Sequence, residues 1–228
     1  MQSLLRSTRF AWTFWGHGNS AAKSRRFSFL DVPPARDGEL ELVAPSAQWV
    51  DAVMASARHP MTLEQSPGLS GVSRRQLGNF LAASPDGHQP ADPPWRSIPA
   101  YHFWMVDHQR HDLPIAGAIC LRIGTDQETD FYYGHVGYHV YPPHRGRHFA
   151  ERAVRLLFPL ARRHGVNPIW ITCNPDNWAS RRTCQRLGAT LVQTVAVPSN
   201  HPLYAVGEVA KCRYRVDDRG DVHSRWPS

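Results

Sequence analysis

The run Val136-Gly137-Tyr138-His139-Val140-Tyr141-Pro142-Pro143-His144-Arg145-Gly146-Arg147-His148-Phe149-Ala150 constrains this chain more than any other. A strand-like stretch stops at two prolines, which cannot extend a ladder. A helical pattern then begins, with Ala150, Ala153, Val154, Leu157 and Leu160/Ala161 on one face. Strand, short loop and helix are thus predicted within a few residues of one another. The first amides of a helix have no internal partners and carry the positive end of its dipole. Such a start favours the charge of several phosphate oxygens. Gly146 tolerates turn conformations that bulkier residues resist, and Arg145 and Arg147 flank it with positive charge. The unit reads as a pyrophosphate cradle. It is not a P-loop, because the GxxxxGK[ST] spacing is absent.

Other elements are predicted around it. Glu39–Ala44 reads as a first strand, followed by a helix capped at Pro45-Ser46 and running to about Arg58. Pro60, Pro67 and Gly68 break the chain. Ser73 then caps a helix to Ala83, and Ser84–Pro99 reads as a long loop of the kind that often forms a binding lid. Tyr101–Val106 and Pro114–Ile123 read as neighbouring strands with a polar turn, Asp107–Asp112, between them. Gly134–Tyr141 is a strand, and Phe149–His164 a helix ended by Gly165, with a kink expected at Pro159. Pro168–Cys173 is a strand, Asn174-Pro175 opens a helix to Leu187, and Thr190–Val197 and Lys211–Val216 are the last strands. The order β-α-α-β-β-β-α-β-α-β-β describes a single-domain α/β chain with a mixed sheet.

Residues 37–217 form the expected domain. Residues 1–36 read as a basic, disordered extension and 218–228 as a polar tail. The first thirty residues contain no Asp or Glu, which is the composition of a mitochondrial presequence, but an ordinary leader or an upstream start codon is preferred. Arg25-Arg26 is not followed by an apolar core, so export is rejected. No stretch reaches the roughly 20 apolar residues of a membrane span. The net charge of +7 is uneven. Residues 140–190 hold nine arginines against Glu151 and Asp176, within an otherwise acidic domain. That points to a local anionic ligand and against a nucleic-acid surface. Cys120, Cys173, Cys184 and Cys212 form no CxxC pair and read as reduced core thiols of a cytoplasmic protein. His102, His108 and His111 match no metal-ligand spacing, so no metal is expected.

Arg145-Gly146-Arg147-His148-Phe149-Ala150 resembles the Q/R-x-x-G-x-G/A loop of the GCN5-related N-acetyltransferases, the GNAT family, with His148 in place of the central glycine. The resemblance continues through Ile169-Trp170-Ile171-Thr172, then Asn177 and Ser180 of N-x-x-A/S, then Leu187-Gly188. It spans about residues 115–217 and is similar to an uncharacterised bacterial subgroup in Gly134–Tyr138. It implies the GNAT-like acyl-CoA N-acyltransferase fold, with two strands splayed around acetyl-CoA. Backbone groups of Tyr138, His139 and Val140 would meet the pantetheine arm. Amides of Arg145, Gly146, Arg147, His148, Phe149 and Ala150 would hold the pyrophosphate. Asn177 would touch the arm and Arg181 the adenosine phosphate. Arg147→Ala is expected to weaken CoA binding with little effect on folding.

The catalytic pair often found in the family does not carry over: its tyrosine position is Cys184 and its glutamate position Thr172. His135 is the preferred base, with a structural histidine as the equal alternative. Tyr204 and Glu208 are the candidates for the acceptor side. The implied function is transfer of acetyl from acetyl-CoA to a small amine or amino-acid-like acceptor by direct attack. Another acyl donor, or a non-catalytic CoA-binding module, are the competing readings. A homodimer is compatible with the sequence; nucleic acid and membrane are not expected partners.

Overall fold

Tyr101–Val106 and Ile115–Leu121 are apolar at nearly every position, which in a strand requires cover on both faces. A computed structural model, describing residues 29–32, 35–84, 88–89, 98–124 and 126–217, provides that cover. Strands β1 (Ala35–Asp37), β2 (Leu40–Val43), β3 (His88–Gln89), β4 (Ala100–Asp107), β5 (Ile115–Arg122) and β6 (Val136–Val140) form one sheet. Its order is β1-β2-β4-β5-β6, with β3 on β4, and all pairs are antiparallel. Strands β7 (Ile169–Cys173), β8 (Thr190–Ala196) and β9 (Ala210–Val216) form a second antiparallel sheet in the order β7-β9-β8.

Helices α1 (Val50–Arg58), α2 (Pro60–Gln65), α3 (Pro67–Ser70) and α4 (Arg74–Ala83) precede β4. Helix α5 (Phe149–Arg163) crosses from β6 to β7, α6 (Trp178–Arg186) joins β7 to β8, and α7 (Pro202–Ala205) lies between β8 and β9. The apolar stripe of α5, with Ala153, Val154, Leu157 and Leu160, packs in one core with Met105, Ile119, Leu121, Ile169 and Ile171. Val53, Met54 and Ala57 of α1 and Leu77 of α4 form a second core with Trp104, Val106, Ile115 and Ala118. Truncating the fully buried Leu157 to alanine would cost about 2–5 kcal/mol.

Several boundaries differ from those read in the sequence. Residues 29–32 and β1 belong to the folded body. Phe29, Leu30 and Val32 pack on the main core, and β1 pairs with β2, although the extension was expected to run to residue 36. The remainder of that extension and the tail from 218 lie outside the described residues. The expected first helix is a 3-10 turn over Ala47–Trp49 followed by α1. Pro60 and Pro67 interrupt the chain by starting helices, each in the first turn where a missing N–H costs nothing. Ser73 caps α4 as expected, in a reciprocal box with Gln76. Helix α5 runs unbroken from Phe149 to Arg163 through Pro159. Within the expected lid, β3 pairs with β4, and most of the rest of that segment lies outside the described residues. Among the described residues no helix is long and apolar enough to cross a membrane.

Candidate active site

The two sheets meet at β6 and β7, which a βαβ crossover through α5 makes run in the same direction. They touch at their starts. The His135 amide donates to the Trp170 carbonyl at 2.7 Å. Gly134, at φ +69°, packs so closely that an added Cβ would lie 2.9 Å from the Thr172 nitrogen. Beyond this vertex the strands diverge, so β6 ends its sheet as an edge.

Hydrogen bonds at both ends of the β5–β6 ladder, Arg122 to the His135 carbonyl and Tyr141 to the Ala116 carbonyl, fix its phase. Antiparallel alternation then turns the backbone groups of Gly137 and His139 toward β5. The backbone groups of Tyr138 and Val140 face the opening. Of the three residues expected to meet an extended ligand, His139 therefore has its backbone committed to the ladder. Gly117 permits this approach, because a Cβ there would lie 2.1 Å from the His139 carbonyl oxygen. Beneath the opening, the Tyr138 hydroxyl meets Ser180 Oγ of α6 at 3.0 Å.

The loop after β6 is a 3-10 turn, Pro142–His144, followed by Gly146 at φ +86° and His148 at φ +59°, ψ +22°. Residue 148 occupies the left-handed region, which explains a glycine preference there. The His148 side chain is exposed and leaves the helix start open. The Arg152 amide is the first to bond back, to the His148 carbonyl at 3.1 Å. Among the described residues, the amides of Gly146, Arg147, His148, Phe149, Ala150 and Glu151 donate to nothing. Six successive free amides at the positive end of a fifteen-residue helix match a diphosphate in charge and donor count.

The arginine side chains do other work. The Arg147 guanidinium turns inward, pairing with Asp107 and with Glu39 at 3.1 Å and donating to Gln109 at 2.8 Å. It also lies 4.6 Å over the Phe149 ring. These contacts predict that substituting it disturbs packing as well as charge, where the sequence alone led to an expectation of little effect on folding. Arg145 donates to the Val140 carbonyl at 3.1 Å and to Ser66 Oγ at 2.7 Å, linking the end of β6 to the α2–α3 junction.

Across the opening, Asn177 rather than Asn174 caps α6, its Oδ1 accepting from the Ser180 amide at 3.1 Å. Asn174 instead accepts from Lys211 Nζ at 2.9 Å. Arg181 bonds Tyr214 Oη and the Pro175 carbonyl and lies 4.5 Å over the exposed Trp178 ring. Cys184 is fully buried, and burial pushes its thiol pKa up, so it keeps its proton. Thr172 Oγ1 donates to the Tyr132 carbonyl.

Glu208 is buried and its carboxylate faces Lys211, while Tyr204 is exposed on α7. His135 is buried, with Nδ1 accepting the Trp170 amide at 2.9 Å, and burial lowers its pKa to about 4. Burial lowers His139 likewise to about 4. His108 pairs with Glu41 and His102 meets Phe80 edge-on. Among the described residues no group of three or more His, Cys, Asp or Glu is arranged to hold a metal ion. Sequence reasoning missed Asp107, His144 and Asp130, all placed by tertiary contacts that no spacing encodes.

Residues 42–190 match the acetyltransferase (GNAT) domain. The chain belongs to the GNAT family. It is an acetyl-CoA-dependent acyltransferase by family, and its splayed strands and free-amide loop are the corresponding architecture. No curated protein matches it by sequence. Among solved structures, this GNAT chain is similar in fold to the microcin C7 self-immunity acetyltransferase MccE in complex with acetyl-CoA and AMP. That match has a TM-score of 0.56 and 16% identity, and covers 80% of this chain and 94% of that one. An acetyltransferase of Agrobacterium tumefaciens gives 0.52 at 18% identity, over 86% and 100%. RimL, the ribosomal L7/L12 alpha-N-protein acetyltransferase, in complex with coenzyme A gives 0.52 at 15%, over 81% and 98%.

Proposed function

We propose that this GNAT chain moves an acetyl group from acetyl-CoA to the amine of a small molecule or amino-acid-like acceptor by direct attack. The observation that carries the reading is a pair of neighbouring donor sets, the open edge of β6 and the six free amides from Gly146 to Glu151 at the start of α5. Tyr138 and Val140 offer the pantetheine arm a strand edge to pair with. The amides of Gly146 to Glu151 hold the diphosphate, and Asn177 approaches the arm from α6. A notch-facing amide of β6 polarises the thioester carbonyl, where negative charge develops as the amine attacks. Four free, buried cysteines suit a reducing compartment, so the cytoplasm is the proposed location.

Calorimetric titration with acetyl-CoA tests the cofactor, and absence of binding removes the reading. A screen of a polyamine, an amino-acid amide and an N-terminal peptide tests the acceptor. The peptide belongs in that screen because one fold neighbour is named for a ribosomal protein. Transfer to the peptide alone would replace the small-molecule assignment.

A further inference from the structure

The closed end of the notch is built by a single wide helical turn, Thr129–Tyr133, just before β6. Such π-type turns are uncommon and recur at functional sites. This one is held from several directions. Arg213 Nε bonds the Asp130 carbonyl at 2.8 Å, Thr172 Oγ1 bonds the Tyr132 carbonyl at 2.8 Å, and Arg122 bonds the Tyr133 and Gly134 carbonyls. The backbone of Asp130 is thereby fixed, while its carboxylate accepts no hydrogen bond among the described residues.

His135 lies beside that carboxylate. A neutral imidazole has one accepting and one donating nitrogen. The Trp170 amide can only donate, so Nδ1 of His135 is the acceptor and Nε2 carries the hydrogen. Among the described residues no acceptor lies within hydrogen-bonding geometry of the buried Nε2, although the Gly124 carbonyl lies near the ring and raises its pKa. It stands 3.7 Å from Asp130 Oδ1, with the histidine side chain 2% exposed and the aspartate side chain 35% exposed. His135 is thus poorly placed to take a proton, because doing so at Nδ1 would break the Trp170 bond. Its low pKa has the same sense.

We infer that Asp130 is the proton acceptor of the transfer reaction and that His135, through Nε2–H, is its positioning residue. This rests on the acetyltransferase reading and assigns chemistry to the same notch. The ammonium of the acceptor gives one proton to Asp130, and the freed nitrogen lone pair forms the N–C bond at the thioester carbon. The C–S bond breaks with its electron pair going to sulfur. The second N–H proton passes to the departing thiolate, so N-acetyl product and CoA thiol leave, and Asp130 returns its proton to water. Burial pushes the Asp130 carboxyl above its ordinary value, against the opposing field of Arg213 on β9 and with that of Asp126, which precedes the turn. Besides Asp130, the charged groups Arg122 on β5 and Asp126 act on His135. The Tyr138 amide lies three strand residues from His135, a rise of about 10 Å that an acceptor amine and a bridging water can span.

The test uses the full chain, acetyl-CoA and the amines named above. Asp130→Asn is expected to bind acetyl-CoA as the wild type does and to lose turnover by about 10²- to 10⁴-fold at neutral pH. Its residual rate should climb tenfold per pH unit as the amine loses its proton in solution. Wild-type turnover by Asp130→Asn, with acetyl-CoA bound equally, overturns the assignment and leaves the acetyltransferase reading standing. No binding of acetyl-CoA to the wild type overturns that reading instead. The pairing is read without any acceptor, by carbon-13 NMR of the Asp130 carboxyl. Removing the facing donor with His135→Phe should raise its titration midpoint, while His135→Gln, which keeps a donor, should move it less. An unmoved midpoint in both variants overturns the pairing.

Discussion

The wholly buried Asp107 carboxylate accepts a hydrogen bond from His144 Nδ1 at 3.1 Å, tying the end of β4 to the loop that follows β6. The same oxygen receives Arg147, whose guanidinium also reaches Glu39. Burial pushes the His144 pKa down while Asp107 opposes it. A buried acidic anchor therefore sits beside a loop whose amides from Gly146 to Glu151 are free among the described residues. Asp107→Asn keeps the shape but removes the charge opposite Arg147. Breaking such a pair costs about 3 kcal/mol. Urea unfolding should show that loss, and calorimetry should show weaker acetyl-CoA binding as the loop loses its fixed geometry.

Arg147→Ala follows the same logic. It strips Asp107 and Glu39 of their shared partner and uncovers the Phe149 ring. A stability loss of about 2 kcal/mol is expected, with affinity for acetyl-CoA falling through the loop rather than through a lost phosphate contact. The check is salt dependence. If the guanidinium does not touch phosphate, wild type and variant should lose acetyl-CoA affinity in parallel as salt is raised.

The left-handed backbone of His148 has its own consequence. Histidine tolerates that region better than most residues, and a β-branched side chain does not. His148→Val should cost about 1–2 kcal/mol. His148→Gly should stay within about 1 kcal/mol of wild type, because relief in the fold is offset by a freer unfolded chain. Thermal melts of the two variants decide this, and the exposed position of the ring keeps packing out of the comparison.

The elements legible in the sequence were those whose signal is local. Two prolines after Tyr141, the 3.6-residue stripe of α5 and the Ser73–Gln76 box each mark a boundary without outside help. The loop between β6 and α5 was legible for the same reason, since free amides follow from a strand-loop-helix succession. Strand β1 was not: Ala-Arg-Asp has no alternation, and pairing with β2 makes it a strand. Asn174-Pro175 has the chemistry of a cap, yet the Asn177 side chain bonds the Ser180 amide and starts the helix three residues later. Asp107 looked like a turn residue because its partners, His144 and Arg147, lie about forty positions away. His135 stands out in the sequence as a candidate base, but its tautomer depends on Trp170, which only the fold brings to it.

Acid should unfold this protein in two stages. Burial holds His135 and His139 at about 4, below the ordinary 6.5, so both are neutral in the fold at pH 7 and must take up protons as the chain opens. Their contribution is complete above pH 6.5 and is lost as pH falls toward 4. Arg152 holds the Glu39 carboxyl down to about 2, so its contribution is present above the ordinary carboxylate pKa and is lost from about pH 4.5 downward. Unfolding free energy against pH should therefore fall from near pH 6.5 and keep falling below 4. Glu39→Gln should flatten only the lower limb, and an unchanged lower limb would remove Glu39 from the account.

The vertex at Gly134 sets how the notch opens. Its φ of +69° penalises any side chain, and a Cβ would press on the Thr172 nitrogen at 2.9 Å and the Trp170 carbonyl at 3.1 Å, both backbone atoms that cannot swing aside. Strain from the dihedral and from overpacking together should cost Gly134→Ala about 2–4 kcal/mol. The strands would part where they now touch, loosening the His135-to-Trp170 bond at 2.7 Å and the Nδ1 contact beside it. Amide hydrogen exchange at His135 and Trp170 should then accelerate well beyond the change at β4, which lies two strands away. Exchange raised equally everywhere would mean global destabilisation alone, and Gly134 would not be the hinge of the two sheets.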